Sequence, residues 1–142
     1  MKNVLIIEDD ERYARFLARS LPDKECTHAP DCKTARALLK SRIFDIVICD
    51  LGLPDCTREE TAAWVYALLS GAVFIIVTGS DDTPENIQFD GLERKWNIHN
   101  DADVRGLVAR AEAKHSGVRM VERNVDSLSV FAHLFCRIKS AA

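Results

Sequence analysis

Three short runs made only of apolar residues constrain this chain more than anything else in it. They are Val4-Leu5-Ile6-Ile7, Ile46-Val47-Ile48-Cys49 and Val73-Phe74-Ile75-Ile76-Val77. Each is too brief for a helix and rich in β-branched residues, so each reads as a strand. Successive side chains of a strand point to opposite faces of its sheet. A strand apolar at every position must therefore be covered on both faces, and a parallel sheet packed between helices provides that cover. None of the runs approaches the ~20 residues needed to span a bilayer, so no membrane association is expected.

Helix-like segments fall between the strands. Tyr13, Phe16, Leu17 and Leu21 repeat at helical spacing from Glu11 to Leu21, where Pro22 ends the pattern. Glu25 to Ala29 is a weak strand candidate. Asp31 can cap a second helix running to Lys40, with Ala35, Leu38 and Leu39 inward. Thr57-Arg58-Glu59-Glu60 matches a capping box opening a third helix to about Leu69, closed by Gly71. Thr83-Pro84 marks the start of a fourth helix, with proline in the first turn. A poor fifth strand follows at Trp96–His99. A fifth helix is expected over Asp101–His115, with Val104, Leu107, Val108 and Ala111 on one face. Strand–helix repetition of this kind predicts a doubly wound, five-stranded parallel α/β sheet in one domain, residues 1–115.

Composition narrows the function classes. A hydrophobic fraction of 47% excludes a disordered or fibrous chain. A net charge of −3, with no dense Lys/Arg cluster, argues against a nucleic-acid-binding module. Met1-Lys2-Asn3 leads directly into the first strand, so no signal peptide is expected. The five cysteines include no C-x-x-C pair. Reduced thiols in a cytoplasmic protein are the expectation, with Cys49 a core filler.

Ligand sites of such sheets lie at the carboxyl ends of the strands. Here the first strand runs into Glu8-Asp9-Asp10, the third into Asp50, and the fourth into Thr78-Gly79-Ser80. Like charges crowded at a buried strand end raise one another's pKa. A hard cation with oxygen ligands, such as Mg²⁺, removes that cost. An aspartate beside it can accept a phosphoryl group as an acyl phosphate. Asp10 is expected to serve as a helix cap.

These stretches (V-L-I-I-E-D-D-E-R at 4–12, F-D-I-V-I-C-D-L-G-L-P-D at 44–55, V-F-I-I-V-T-G-S at 73–80) resemble the receiver domain of two-component response regulators. The resemblance covers four strand–helix units well and the fifth poorly. It implies a flavodoxin-like fold of receiver type. It implies Mg²⁺ held by Glu8, Asp9, Asp50 and the backbone carbonyl of Gly52, Asp50 as phosphoacceptor, and Thr78 as switch hydroxyl. The family's lysine after the fifth strand would fall 21 or 22 residues beyond Thr78, at His99 or Asn100. On that count the lysine is missing, and Lys95 belongs to the fourth helix or its end. If His99 is the counterpart, Trp96 takes the place of the family's aromatic switch residue. Cys56-Thr57-Arg58 also replaces the glycine that often follows the phosphoacceptor loop.

The implied function is a single-domain receiver. It would be phosphorylated on Asp50 by a histidine kinase or phosphotransfer protein, would signal by protein–protein contact, and would not be an enzyme. The alternative is a pseudo-receiver, a phosphorylation-independent interaction module, supported chiefly by the missing lysine. A haloacid-dehalogenase-type phosphatase is contradicted by Gly52, where that chemistry needs a second aspartate. A flavin carrier is contradicted by the acids after the first strand. Residues 116–142 form an extension in which Leu128, Phe131, Leu134, Phe135 and Ile138 share one face of a helix over about 126–139. That helix either packs on its own domain or mediates partner docking or a homodimer. Trp64, Trp96, His28, His115 and His133 are expected to be packing residues.

Overall fold

The computed structural model describes residues 1–123. Its strands are β1 (Asn3–Ile7), β2 (Glu25–Ala29), β3 (Ile46–Cys49), β4 (Val73–Thr78) and β5 (Gly91–Arg94). They form one parallel sheet in the order β2-β1-β3-β4-β5. The helices among the described residues are α1 (Glu11–Arg19), α2 (Cys32–Ser41), α3 (Arg58–Leu68) and α4 (Asp101–Arg123). This is the expected doubly wound, flavodoxin-like arrangement.

Alternation along the apolar strands sorts the core into two layers. Leu5, Ile7, Val47, Cys49, Phe74 and Ile76 face α2 and α3, where Ala35, Ala62, Trp64 and Val65 meet them. Val4, Ile6, Ile46, Ile48, Ile75 and Val77 face α1 and α4, against Leu17, Val104, Leu107 and Ala111. Strands β1, β3 and β4 are apolar at Val4–Ile7, Ile46–Cys49 and Val73–Val77 because each must serve both layers. The predicted caps are present. Asp10 accepts from the N–H groups of Arg12 and Tyr13, Asp31 from Thr34, and Thr57 from Glu60. Each supplies an acceptor to a helix end that would otherwise have unpaired donors.

The segment after β4 departs from expectation. No helix starts at Thr83-Pro84; Gly79–Asp90 is irregular, and β5 lies at Gly91–Arg94 rather than Trp96–His99. Asn86 has φ 61°, the left-handed region that no helix interior uses. Too few residues then remain before Gly91 to complete two helical turns. Side-chain contacts hold the loop instead. The Arg94 guanidinium donates to the carbonyls of Asp81 (2.8 Å) and Asp82 (3.3 Å) and to the Thr83 hydroxyl (3.1 Å). Ile87 and Phe89 pack against the α2/α3 layer. Asp90 anchors the return to the sheet: its N–H donates to Phe74 O (2.8 Å), and its carboxylate accepts from Phe74 N (2.9 Å).

Helix α4 begins where predicted and continues past His115 to Arg123. Asn100 caps it, its Oδ1 accepting from the Asp103 N–H at 3.0 Å, while the Asp103 carboxylate accepts from His99 N at 2.8 Å. His115 ties the helix to the segments that lead into β4 and β5, through Gly71 O (3.0 Å) and Asp90 Oδ2 (3.1 Å). The helix expected over about 126–139, its suggested role in a homodimer, and His133 lie outside the described residues. No described helix is long and apolar enough to cross a membrane.

Candidate functional site

The site is assembled at the carboxyl ends of β1, β3, β4 and β5. Its two central acids continue the backbone pairing of their strands. The Glu8 N–H donates to Ala29 O (3.0 Å), and the Asp50 N–H donates to Ile7 O (2.8 Å). Both therefore sit at the switch point of the sheet, where connections depart in opposite directions and leave a crevice. Thr78 is the last residue of β4, on the strand beside Asp50. Glu8, Asp50 and Thr78 are buried, at 1%, 7% and 2% exposure, whereas Asp9 is exposed. Carboxylate oxygens of Glu8, Asp9 and Asp50 all lie within 4.8 Å of one another.

Lys95 supplies the counter-charge. It follows β5 directly, because the parallel register pairs Thr78 with Arg94. Its Nζ is 2.8 Å from Asp50 Oδ2 and 2.9 Å from Glu8 Oε2. The expectation of a missing lysine is thus corrected. Counting to His99 or Asn100 presumed a full helix between β4 and β5, and the loop that replaces it brings the lysine forward. His99 and Asn100 are instead exposed residues of the α4 cap. The assignment of Trp96 falls with them. It follows Lys95 on a 3₁₀ turn and is 50% exposed, so it is not a packing residue. The same spacing from Lys95 now gives Leu92, a partly buried aliphatic in the α2/α3 layer. Trp64, by contrast, is buried as expected, with Arg36 over its ring at 5.0 Å.

The electrostatics follow from burial. Burial pushes Glu8 up to about 7, against the hydrogen bond from Lys95 and in concert with the nearby Asp50 charge. Burial alone would lower Lys95, but its bonds to Asp50 and Glu8 outweigh that and hold it above the ordinary lysine value. Tyr13 on α1 places its ring 4.7 Å from the Lys95 ammonium. This cation–π contact supports the charge from the apolar side. Burial pushes the Tyr13 phenol up to about 12, and its hydroxyl has no hydrogen-bond partner among the described residues.

Backbone groups complete the site. The N–H of Gly52 donates to Asp50 Oδ1 at 3.0 Å, and the N–H of Asp10 donates to Glu8 Oε1 at 3.1 Å. The Thr78 hydroxyl accepts from Ser80 N at 3.3 Å. His28 Nε2 is 2.6 Å from the Glu8 carbonyl, which can only accept, so that ring nitrogen carries the proton. His28 thus braces the backbone that bears Glu8. Sequence reasoning missed Lys95, Tyr13 and His28. None stands beside an acid in the sequence, and only the Tyr13 position on α1, one turn from Asp9, gave any hint.

The donor set fits a hard divalent cation. It consists of oxygens alone, with two buried carboxylates and one at the mouth, and one of the buried pair has a raised pKa. Glu8, Asp9 and Asp50, the residues named from sequence, are the ones the fold brings together.

No protein-family model matches the sequence, and no curated protein sequence matches it. The fold nevertheless matches those of many receiver domains. It is similar to the chemotaxis response regulator CheY4 of Vibrio cholerae, with a TM-score of 0.67 and 20% identity over 78% of this chain and 98% of that one. It is similar to the response regulator TrrA of Thermotoga maritima in complex with Mg²⁺-BeF, with a TM-score of 0.67 and 21% identity over 78% and 99% of the two chains. A Burkholderia pseudomallei response regulator with a phosphorylated aspartic acid gives a TM-score of 0.69 and 21% identity over 99% and 86%. The chain has the receiver-domain fold.

Proposed function

We propose that this chain is a phosphoacceptor receiver, taking a phosphoryl group on Asp50 from the phosphohistidine of a histidine kinase or phosphotransfer protein. One observation carries the reading: Lys95 Nζ bridges Asp50 and Glu8 at the switch point of a receiver fold, with Thr78 on the adjacent strand. The pseudo-receiver alternative rested on the absence of a lysine, and the Lys95 contacts remove that support.

In the transfer, an Asp50 carboxylate oxygen attacks phosphorus. The P–N bond to the donor histidine breaks, and its electron pair stays on the imidazole. The Gly52 N–H holds Asp50 Oδ1 and Lys95 holds Oδ2, so the carboxylate is oriented before the donor arrives. Mg²⁺ held by Glu8, Asp9 and Asp50 would neutralise charge on the incoming phosphoryl oxygens. The Lys95 ammonium then serves the phosphoryl group from the Asp50 side, and the Thr78 hydroxyl can donate to a phosphoryl oxygen. The chain is a phosphotransfer substrate and switch, not a turnover enzyme. Its output is a protein–protein contact, and the region free to respond is the Gly79–Asp90 loop and β5.

The test is intact mass after incubation with a small acyl phosphate and Mg²⁺. The expected result is the gain of one phosphoryl group that needs the metal and is absent in Asp50→Asn. Wild-type protein that gains no mass with Mg²⁺ present, from either a small donor or a phosphorylated phosphotransfer protein, would return the reading to a phosphorylation-independent module.

A further inference from the structure

A second group of reactive side chains meets away from Asp50. Cys32, the first residue of α2, is 2% exposed, and Cys56, just before the α3 cap, is partly buried. Both are free thiols. Their sulfur atoms lie within 4.8 Å of one another and of an Asp55 carboxylate oxygen. Asp55 enforces the meeting: its two oxygens accept from the N–H groups of Cys32 (2.9 Å) and Lys33 (3.1 Å). This docks the β3–α3 loop on the start of α2. A cleft of about 430 Å³ opens over the pair, with Lys33, Arg36 and Lys40 in its lining against the single carboxylate of Asp55. Such an entrance favours an anionic reagent.

Two chemistries suit a close thiol pair, metal ligation and oxidation. Ligation needs thiolates. Both Asp55 oxygens already accept backbone N–H groups, and burial pushes the Cys32 thiol up to about 12. A disulfide is uncharged, so burial does not oppose it.

We propose that Cys32 and Cys56 are a reversible redox pair that closes to an intramolecular disulfide in the folded protein, with a small anionic disulfide such as oxidised glutathione as oxidant. The more accessible Cys56 sulfur, as thiolate, attacks one glutathione sulfur. That S–S bond breaks, and the first glutathione leaves as thiolate. Cys32 then gives its proton to the released glutathione thiolate, attacks the Cys56 sulfur of the mixed disulfide and expels the second glutathione, which takes up a proton from water. Two protein thiols lose two electrons and two protons, and one glutathione disulfide becomes two glutathione thiols. The new bond ties α2 to the loop that carries Gly52, whose N–H holds Asp50. The pairing itself is independent of phosphotransfer at Asp50.

The experiment treats the folded full chain with excess oxidised glutathione, alkylates the remaining thiols, weighs the product and maps the unreduced peptides. The expected result is that three of the five cysteines still alkylate and that the cross-link joins Cys32 to Cys56. Reduced glutathione should restore all five. Cys56→Ser should abolish the cross-link and Cys26→Ser should leave it intact. Because Cys32 is buried and its replacement can impair folding, Cys56→Ser carries the test. The proposal is overturned if both thiols still alkylate, if a glutathione adduct on Cys56 fails to advance, or if pairing is as random as in the urea-unfolded chain. A bound zinc ion that protects both thiols from oxidation would overturn it equally.

Discussion

Strands β3 and β5 each end one residue before a charged group of the site, yet they are built on opposite terms. β3 is buried at every position and paired on both sides, to β1 and β4. β5 is half-buried throughout and paired on one side only, to β4. Asp50 is therefore positioned by close packing, which has few alternatives. Lys95 is positioned by ion pairs, a cation–π contact and a neighbouring loop held by hydrogen bonds. The site thus joins an acidic half fixed by close packing to a cationic half held by side-chain contacts on a half-buried edge strand, where local opening costs less.

The first way to test this contrast is to remove packing from each half. Phe74 on β4 is 1% exposed, whereas Phe89 in the loop is only partly buried against the same layer. Phe74→Ala should lower the unfolding free energy by about 3–5 kcal/mol, the usual cost of a large cavity in a core. Phe89→Ala should cost less than half as much, in urea titrations of both variants. Equal losses would mean that the loop belongs to the core and that the division is false.

The next largest effect should come from the cation. Lys95→Ala leaves Glu8 and Asp50 facing each other with no ammonium between them. At pH 8 the loss should be about 1–3 kcal/mol, as for other broken part-buried pairs. Its pH dependence has a definite sign. The folded pKa of Glu8, about 7, lies above its ordinary value of 4.5. Stability from that group is therefore fully present below pH 4.5 and is lost as pH rises through about 7. Without Lys95 the folded pKa of Glu8 rises further, so the variant should approach wild type near pH 5. Millimolar Mg²⁺ at pH 8 should also narrow the gap. A destabilisation that neither acid nor Mg²⁺ reduces would mean that Lys95 acts by packing and not by charge.

The same contrast explains what could be read from the sequence. Glu8, Asp50 and Thr78 were legible because each follows an apolar run that only a doubly covered strand explains. The caps at Asp10, Asp31 and Thr57 were legible because capping is local chemistry. β5 was not, since Gly91-Leu92-Glu93-Arg94 has one large apolar residue and half-buried edges need no more. Trp96 and Ile98 nearby looked more strand-like. Lys95 was lost with β5, because its place had been reached by counting across a helix that the chain does not form. Tyr13 and His28 act on the site from an adjoining helix and strand, a relation that depends on tertiary packing.

A smaller effect should follow from loosening the loop. Arg94 holds two carbonyls and a hydroxyl of Asp81–Thr83, in contacts exposed to water. Arg94→Ala should cost about 1 kcal/mol or less in global stability. Locally, amide exchange in this loop should rise by about fivefold while the amides of β1 and β3 stay unchanged. A uniform rise across the sheet would show that the loop and the strands open as one unit.

The smallest effect is the most discriminating, because its sign depends on conformation. Asn86 sits at φ 61°. Glycine adopts that region without strain, whereas alanine does so at a cost of about 1 kcal/mol. In the loop, Asn86→Gly should therefore leave stability within about 0.5 kcal/mol of wild type, and Asn86→Ala should lower it. If Thr83-Pro84 instead opened a helix, the order would invert. Alanine would then be the better helix former and glycine the worse, by about 1 kcal/mol between them. Both are single substitutions at one exposed loop residue that makes none of the contacts given for Glu8, Asp9 and Asp50. Their order in thermal unfolding therefore reports on the backbone of this connection alone. A helix there would lengthen the path to β5 and withdraw Lys95 from Asp50, so the order also tests the placement of the cation.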